Sequence, residues 1–313
     1  MGTNTFHLLI ADVNENGYSI IHCDRRAVKI GKGGINHGYI TDEGMSRAVR
    51  ALESFKNSAD QMAVTNIYAF GTSALRNARN SHEVLEKIKA ATGITCSIIS
   101  GDLEATYIYE GVKSSMEIGN ENSLIVDIGG GSVECILGNN SAVSWKESFE
   151  IGAQRLLEQF HKNDPITGNE IKELNKYFEQ KLKPLFEAMD QYPTATLIGA
   201  SGTFDTLSDI FCLRHNITKH NDATETPLTL HAFHEIHEEL IRKNRAERMS
   251  IPGMIEMRVD MIVVASCLVK FIISNHSFDR IRVSAYALKE GVLASFTKSR
   301  SIETPITTLE VPD

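Results

Sequence analysis

The sequence predicts an α/β protein made of two related halves that face one cleft. Three observations carry this. Strand-type runs alternate with helix-type periodicities along most of the 313 residues, a length that suggests about two domains. The run Leu124–Gly138 sets three glycines and a serine between two strand-type segments. The run Gly2–Ile10 has the same layout as Gly129–Leu137, a turn of small residues and then a strand. Two such halves facing each other bring both turns to an interdomain cleft, the preferred place for a ligand.

Taken in order, Phe6–Val13 and Tyr18–Cys23 read as strands joined by a turn at Asn14-Glu15-Asn16-Gly17. Asp42–Val64 is a helix, since Met45, Ala48, Leu52, Phe55, Ala59 and Met62 recur at three to four residues. Ile67–Gly71 is a short strand; Ser81 is the expected cap of a helix ending near Gly93. Thr95–Ser100 is a strand broken by Gly101, and Leu103–Val112 a helix. The polar stretch Glu117–Asn122 is the expected boundary, giving a first domain at 1–118 and a second at 119–300, with a tail at 301–313. The tail, from Ser299 on, is expected to fray. In the second half, Ala142–Glu150 is a strand and Ala153–His161 a helix; Asn169–Met189 is a helix kinked at Pro184. Ala195–Ile198 is a strand, and Gly199–Thr203 opens a helix toward Arg214. After a polar loop at 216–227 come helices near Leu228–Lys243 and Ile255–Ser274, a strand at Ile281–Val283 and a helix at Ala287–Phe296.

Composition excludes several classes. Hydrophobic residues make up 42% and charged residues 23%, a globular balance. A net charge of −8 argues against DNA or bulk nucleic-acid binding, which needs a basic footprint. It leaves room for a polyanionic substrate in a locally positive cleft. Five scattered cysteines without a C-x-x-C pair read as reduced core thiols of a cytoplasmic protein. No signal peptide or membrane span is predicted: the most apolar run, Met261–Ile273, contains Lys270 and is too short to cross a bilayer. The eleven histidines show no metal-ligand spacing.

The glycine hairpin is where the chemistry points. Glycines let a ligand approach backbone N–H groups with no Cβ in the way, and successive N–H groups in a turn make an anion-binding concavity. Asp127 stands just before the turn and Glu134 just after it. An ordinary Gly-rich hairpin needs neither acid. Carboxylates beside a phosphate cradle make sense when a hard divalent cation sits between them.

Seven motifs occur in order: Gly-Thr-Asn-Thr-Phe-His-Leu at 2–8, Gly-Thr-Ser-Ala-Leu-Arg at 71–76, Ser-Gly-Asp-Leu-Glu-Ala at 100–105, Asp-Ile-Gly-Gly-Gly-Ser-Val-Glu at 127–134, Gly-Ala-Ser-Gly-Thr at 199–203, Pro-Gly-Met at 252–254 with Arg-Val-Asp at 258–260, and Lys-Glu-Gly-Val-Leu at 289–293. Each is weak alone. The ordered set resembles the exopolyphosphatase / guanosine pentaphosphate phosphatase (Ppx/GppA) family of the actin–hexokinase–chaperone superfamily, across almost the whole chain. The resemblance implies two ribonuclease-H-like (actin-like ATPase) lobes with an interdomain cleft. It implies an enzyme that hydrolyses a terminal phosphoanhydride of inorganic polyphosphate, or of guanosine pentaphosphate (pppGpp), and releases orthophosphate with Mg²⁺ as cofactor. A homodimer is compatible with it.

Residue by residue, the resemblance makes Gly129, Gly130, Gly131 and Ser132 one phosphate loop and Gly2, Thr3, Asn4 and Thr5 its counterpart. Asp127 and Glu134 fall where metal-associated acids belong, and Glu104 completes that acidic set. Glu104 matches the general base that activates water. Arg76 is the expected bidentate phosphate donor. Ser201, Gly202 and Thr203 read both as a helix N-cap and as an anion site, since a helix N-terminus serves either. Bland readings stand beside these: Glu104 favouring a helix dipole, Asp127 ending a strand, Arg76 a solvated loop cation. Arg25, Arg26, Lys29 and Lys32 could track a polyanion or form a wet strand face.

Two departures bear on the expectation. The family signature begins Asp-x-Gly-Ser/Thr-Asn after an apolar strand; here Met1 stands at x, and neither the Asp nor the strand is in the sequence. A shortened start is the simplest reading, and two neighbouring strands are expected to show unpaired edges, with a weakened metal site. Ala285 and Lys289 replace the more usual Asp and Arg, and lysine lacks the planar fork. Longer family members add a helical domain, so lower processivity on long polyphosphate is expected. Rival classes are a superfamily kinase or ATPase, and a non-catalytic polyphosphate- or nucleotide-binding member.

Overall fold

The computed structural model describes residues 1–14, 17–220 and 222–300. The expected turn residues Glu15 and Asn16 and the tail at 301–313 lie outside the described residues. In chain order the elements are β1 (Thr5–Asn14), β2 (Gly17–Ala27), α1 (Asp42–Gln61), β3 (Ala69–Gly71), α2 (Ser73–Asn77), α3 (Ser81–Thr92), β4 (Cys96–Ile98), α4 (Gly101–Ser115), β5 (Ser123–Ile128), β6 (Val133–Gly138), β7 (Val143–Phe149), α5 (Ala153–Phe160), α6 (Gly168–Lys181) and α7 (Lys183–Gln191). They continue with β8 (Thr196–Ala200), α8 (Ser201–Arg214), β9 (Glu225–Thr226), α9 (Leu230–Arg242), α10 (Arg245–Met249), α11 (Ile262–Asn275), β10 (Arg280–Ser284) and α12 (Leu288–Arg300).

A six-stranded sheet, ordered β7-β6-β5-β8-β10-β9, centres the second half. β5 pairs antiparallel with β6 and parallel with β8, and β8 pairs parallel with β10. Every residue of β5, β6 and β8 is buried. Such strands read as near-continuous apolar runs because both faces are covered. Leu124, Val126, Val133, Cys135 and Leu137 face the large core built with α6, α7, α9 and α11. Ile125, Ile136 and Ile198 face the other way, against Ala105, Ile108 and Val112 of α4. Strand alternation therefore sends Asp127 and Glu134 to the α4 side as well. This matches the ribonuclease-H-like lobe that the sequence implies.

The first half is split. β1 and β2 form one two-stranded ladder, and β3 and β4 another. Two hydrogen bonds of Met1 reach the β3 side: its amino group donates to the Phe70 carbonyl (2.6 Å), and Thr72 N–H donates to the Met1 carbonyl (3.3 Å). Among the described residues the two ladders do not join into one sheet, and β3 is shorter than the expected Ile67–Gly71. The half coheres through a core of Phe6, Ile30, Met45, Leu52, Phe55, Leu75 and Ile88. α4, which precedes the expected boundary at 118, shares its buried face with the strands that follow it. α12 returns to lie along α4, and Gly111 and Gly291 sit at the crossing, where a Cβ on either would overlap the opposite helix's backbone.

Other elements differ from expectation for local reasons. Asn80, not Ser81, precedes α3, and its side chain is turned to the Ile40 backbone. The expected helix at 169–189 is two helices joined at Leu182, because Pro184 starts a helix well and continues one poorly. Residues 255–261 are turns, so α11 begins only at Ile262. Met62 is exposed because α1 ends at Gln61. Cys23 is exposed and so is not a core thiol, while Cys135, Cys212 and Cys267 are buried; all five are free.

Arg248, only 1% exposed, anchors the segment that leads into α11. Its guanidinium donates to the Asp164 carboxylate (2.7 Å) and to the carbonyls of Lys243 (2.5 Å) and Val259 (3.1 Å). The Asp164 side chain is 37% exposed, so the main cost of removing the guanidinium is the two carbonyls left without their donor. Arg248→Ala is expected to lower the unfolding free energy by about 2–4 kcal/mol in denaturant titrations; a loss under about 1 kcal/mol would contradict the anchoring role.

Candidate active site

The hairpin β5–β6 builds the centre of the site. Asp127 and Glu134 are directly opposed in its antiparallel ladder, so both side chains emerge side by side on one face. Like charges placed this way are destabilising. Glu104, in the first turn of α4, points into the same region, and the three carboxylates are 5%, 1% and 6% exposed, respectively. Burial pushes Asp127 up to about 6, partly offset by the Ser201 hydroxyl that donates to it at 2.7 Å. Burial, then the charges of Glu104 and Asp127, raise Glu134 well above the usual carboxylate range, although Ser148 donates to it at 2.7 Å. Burial also raises Glu104; the hydrogen bond and charge of Arg76, and the Thr72 hydroxyl, oppose this.

The loop 129–132 is oriented by α5. Gly152, Ala153 and Gln154 donate their N–H groups to the carbonyls of Gly131, Gly129 and Gly130 at 3.1, 2.9 and 2.8 Å. These are otherwise orphan donors of a helix N-terminus. In a planar trans peptide the C=O and N–H point in opposite directions. Fixing the three carbonyls on α5 therefore turns the N–H groups of Gly130, Gly131 and Ser132 away from it. The approach is close enough that a Cβ on Gly152 would overlap the Gly131 backbone.

Across the cleft stands the loop Gly2–Thr5. Its Thr3 and Asn4 carbonyls accept from Gly31 (3.1 Å) and Lys29 (2.8 Å), and the Gly2 N–H donates to the Thr5 carbonyl at 3.1 Å. A Cβ on Gly130 would meet the Asn4 side chain, and one on Gly131 the hydroxyls of Thr3 and Ser73. Thr3 and Asn4 are buried, yet Thr3 Oγ1 and Asn4 Oδ1 have no hydrogen-bond partner. Such orphans are uncommon in folded proteins, and here they stand against the glycine loop 129–132. Asn4 Nδ2 crosses to Gln154 at 3.2 Å and to the Met261 sulfur.

The remaining expected residues divide. Ser201 is the first residue of α8, with Ala200 as its N-cap, and it sits at φ +65°; it binds Asp127 and does not cap the helix. Gly202 lies against the Arg258 guanidinium, where a Cβ would collide, and Thr203 is buried behind it. Arg76 does not present its fork to the cleft: Nη1 donates to Glu104 (2.9 Å) and the Ile99 carbonyl (3.0 Å), and Nη2 to Glu150 (3.1 Å). Arg26 pairs with Asp24 at 2.9 Å on the outer side, whereas Arg25 belongs to a cationic group near His7. His7 is held neutral at about 3 by desolvation first, then by Lys289, the terminal amino group, Arg258 and Arg25.

Sequence reasoning left out Arg258, Asp205, Glu150 and Arg155. Arg258 was legible only as part of a motif. The turns at 255–261 bring it to Gly202, where burial lowers its pKa against the opposing charges of Asp205 and Asp127. Burial pushes Asp205 up to about 6, with Arg258 and Lys219 opposing.

The fit of Mg²⁺ can be judged on the donors. No group of three or more His, Cys, Asp or Glu side chains among the described residues is arranged to hold a metal ion. Mg²⁺ is ordinarily bound by one or two carboxylates plus substrate phosphates and waters, not by an all-protein cage. Asp127 and Glu134, hard oxygen donors whose charges repel on one face, suit that mode.

The model of the Ppx/GppA phosphatase family matches residues 9–300. The solved structure of an exopolyphosphatase from Cytophaga hutchinsonii is 41% identical, covers 96% of each chain and superposes with a TM-score of 0.93. An Aquifex aeolicus member of the Ppx/GppA family is 26% identical over 96% of each chain, with a TM-score of 0.77. A relative from Photobacterium profundum, named guanosine-5'-triphosphate,3'-diphosphate pyrophosphatase, is 25% identical over 94% of this chain, which spans 57% of that relative. The chain belongs to the Ppx/GppA phosphatase family, and its two-lobed α/β fold is that of these structures.

A pH test follows for Asp127. Its folded pKa of about 6 lies above the unfolded value of 3.8, so the fold favours the protonated form. The stabilisation is fully present below the unfolded pKa and is lost as pH rises through 6. The shift is worth about 3 kcal/mol. In denaturant melts with chelator, Asp127→Asn should lose about 3 kcal/mol less than the parent between pH 3 and 8. Parallel pH curves for the two proteins would contradict the burial of an unneutralised carboxylate.

Proposed function

We propose that this Ppx/GppA phosphatase hydrolyses the terminal phosphoanhydride of inorganic polyphosphate and releases orthophosphate. One observation carries the reading: a loop with three N–H groups turned outward lies beside three buried carboxylates contributed by three elements, β5, β6 and α4. Phosphoryl transfer asks a protein to position groups and to offset charge, and little more.

In this account the N–H groups of Gly130, Gly131 and Ser132 hold the terminal phosphate from one lobe. The Thr3 hydroxyl donates to it from the other, which gives that orphaned oxygen a partner; Asn4 can donate only through Nδ2, since its Oδ1 is an acceptor. Glu104 orients a water on the side opposite the bridging oxygen. The water oxygen bonds to the terminal phosphorus, its proton passes to Glu104, and the bond from phosphorus to the bridging oxygen breaks. The remaining chain leaves as an anion one phosphate shorter. Burial raises the Glu104 pKa and favours its neutral form; Arg76 opposes this and favours the carboxylate that the proton transfer requires. Asp127 and Glu134 would hold Mg²⁺, whose charge offsets that developing on the transferred phosphoryl group. Arg258, Arg25 and Lys289 supply positive potential at the cleft despite the protein's net negative charge.

Removal of the 5′-terminal phosphate of pppGpp uses the same parts, and the name of the Photobacterium relative favours keeping it as a second reading. Parallel turnover measurements separate the two. The first reading expects the larger kcat/KM on polyphosphate, and a larger value on pppGpp would replace it.

Glu104 gives the sharper test. Glu104→Ala should lose about 10²–10⁴-fold in phosphate release, while equilibrium binding of polyphosphate stays within about threefold of the parent. Equal hydrolysis by both proteins would remove Glu104 from the base role.

A further inference from the structure

Glu150 sits between β7 and α5, outside every motif that points to the function. Its carboxylate gathers groups from both lobes. Oε1 accepts from Arg76 Nη2 (3.1 Å); Oε2 accepts from the Ser73 hydroxyl (2.5 Å) and from Arg155 Nη2 (2.9 Å). Asn77 adds a further hydrogen bond. Ser73, Arg76 and Asn77 lie on α2 of the first lobe, and Arg155 lies on α5 of the second. Opposing desolvation, these bonds and charges lower the Glu150 pKa and keep it ionised.

Each cation that Glu150 holds has a second task. Arg76 grips Glu104 at 2.9 Å. Arg155 donates through Nε to the Gly131 carbonyl (2.8 Å) and through Nη1 to the Ile35 carbonyl of the first lobe (2.9 Å). One unbroken chain therefore runs Glu104–Arg76–Glu150–Arg155–Gly131. Its ends are the expected base and the expected phosphate loop. Both arginine side chains are mostly buried, at 17% and 13% exposed, so solvent screens the chain only in part.

Resting on the reading above, we propose that Glu150 is a positioning residue that fixes the base relative to the phosphate cradle across the two lobes. Glu150 touches no reacting atom. It sets where Arg76 holds Glu104 and where Arg155 holds the loop. Charged, planar and doubly anchored, it admits little slack, because each arginine meets its carboxylate with one directional, charge-assisted hydrogen bond. A small displacement between reacting groups can cost about 10²-fold in rate.

The test compares the parent with Glu150→Gln, Glu150→Asp and Arg155→Met in phosphate release from polyphosphate and from pppGpp. Glu150→Gln should lower kcat by about 10- to 100-fold with KM changed by less than about threefold, since cradle N–H groups still bind the phosphate. Glu150→Asp, which keeps the charge, should recover part of the loss. Combining Glu150→Gln with Arg155→Met should cost little more than either alone, because both cut one chain. Amide hydrogen exchange at 129–132 and 73–77 should quicken in Glu150→Gln on the protein without substrate. Parent-like kcat in Glu150→Gln, a change confined to KM, or additive losses would overturn the proposal while leaving the Glu104 result standing. If the parent hydrolysed neither substrate, the function would fail instead. Unchanged exchange at both segments would then still refute the coupling.

Discussion

Three carbonyls of one glycine loop are held by the N–H groups of Gly152, Ala153 and Gln154 at the start of α5, and the rest of the site depends on that exchange. A helix start leaves N–H groups without partners, and a loop of consecutive glycines leaves carbonyls without a ladder. Each satisfies the other. Because a peptide's two polar ends oppose, the bonds that fix the carbonyls also aim three N–H groups into the cleft. Gly152 has to be glycine for steric reasons, as the two backbones touch there. Donors preorganised in this way would need no rearrangement were charge to develop on a phosphate held there, as the proposed function requires.

Electrostatics pull the other way. Asp127 and Glu134 share one face of a hairpin, and Glu104 points at both. Folding brings like charges together out of water, and the protein keeps them there with hydroxyl donors from Ser201 and Ser148 and with the guanidinium of Arg76. Such a cluster is poor design for stability alone and good design for a cation and a proton acceptor. The apolar strands on either side, buried on both faces, give the rigid sheet that makes the arrangement possible.

Much of this was legible in the sequence where chemistry is local. The glycine run flanked by Asp127 and Glu134 shows its register directly, since a four-residue loop sets those two acids opposite each other. The α1 stripe, the apolar strands and the Gly93 stop are periodic or conformational signals, and they hold. The residues that were missed act at a distance. Glu150 and Arg155 meet Ser73 and Arg76 only after the lobes come together. Arg258 reaches the site because residues 255–261 form turns in place of the expected helix, and apolar periodicity could not show that difference. The partners of Arg76 are two carboxylates, Glu104 and Glu150, neither of them near it in sequence.

The central claim concerns three amide protons, and backbone NMR reads them directly. In a titration with orthophosphate, the amide resonances of Gly130, Gly131 and Ser132 should shift saturably and together, with Thr3 and Asn4 following at the same midpoint. Saturable binding that moves resonances elsewhere, and leaves 130–132 in place, would contradict the account.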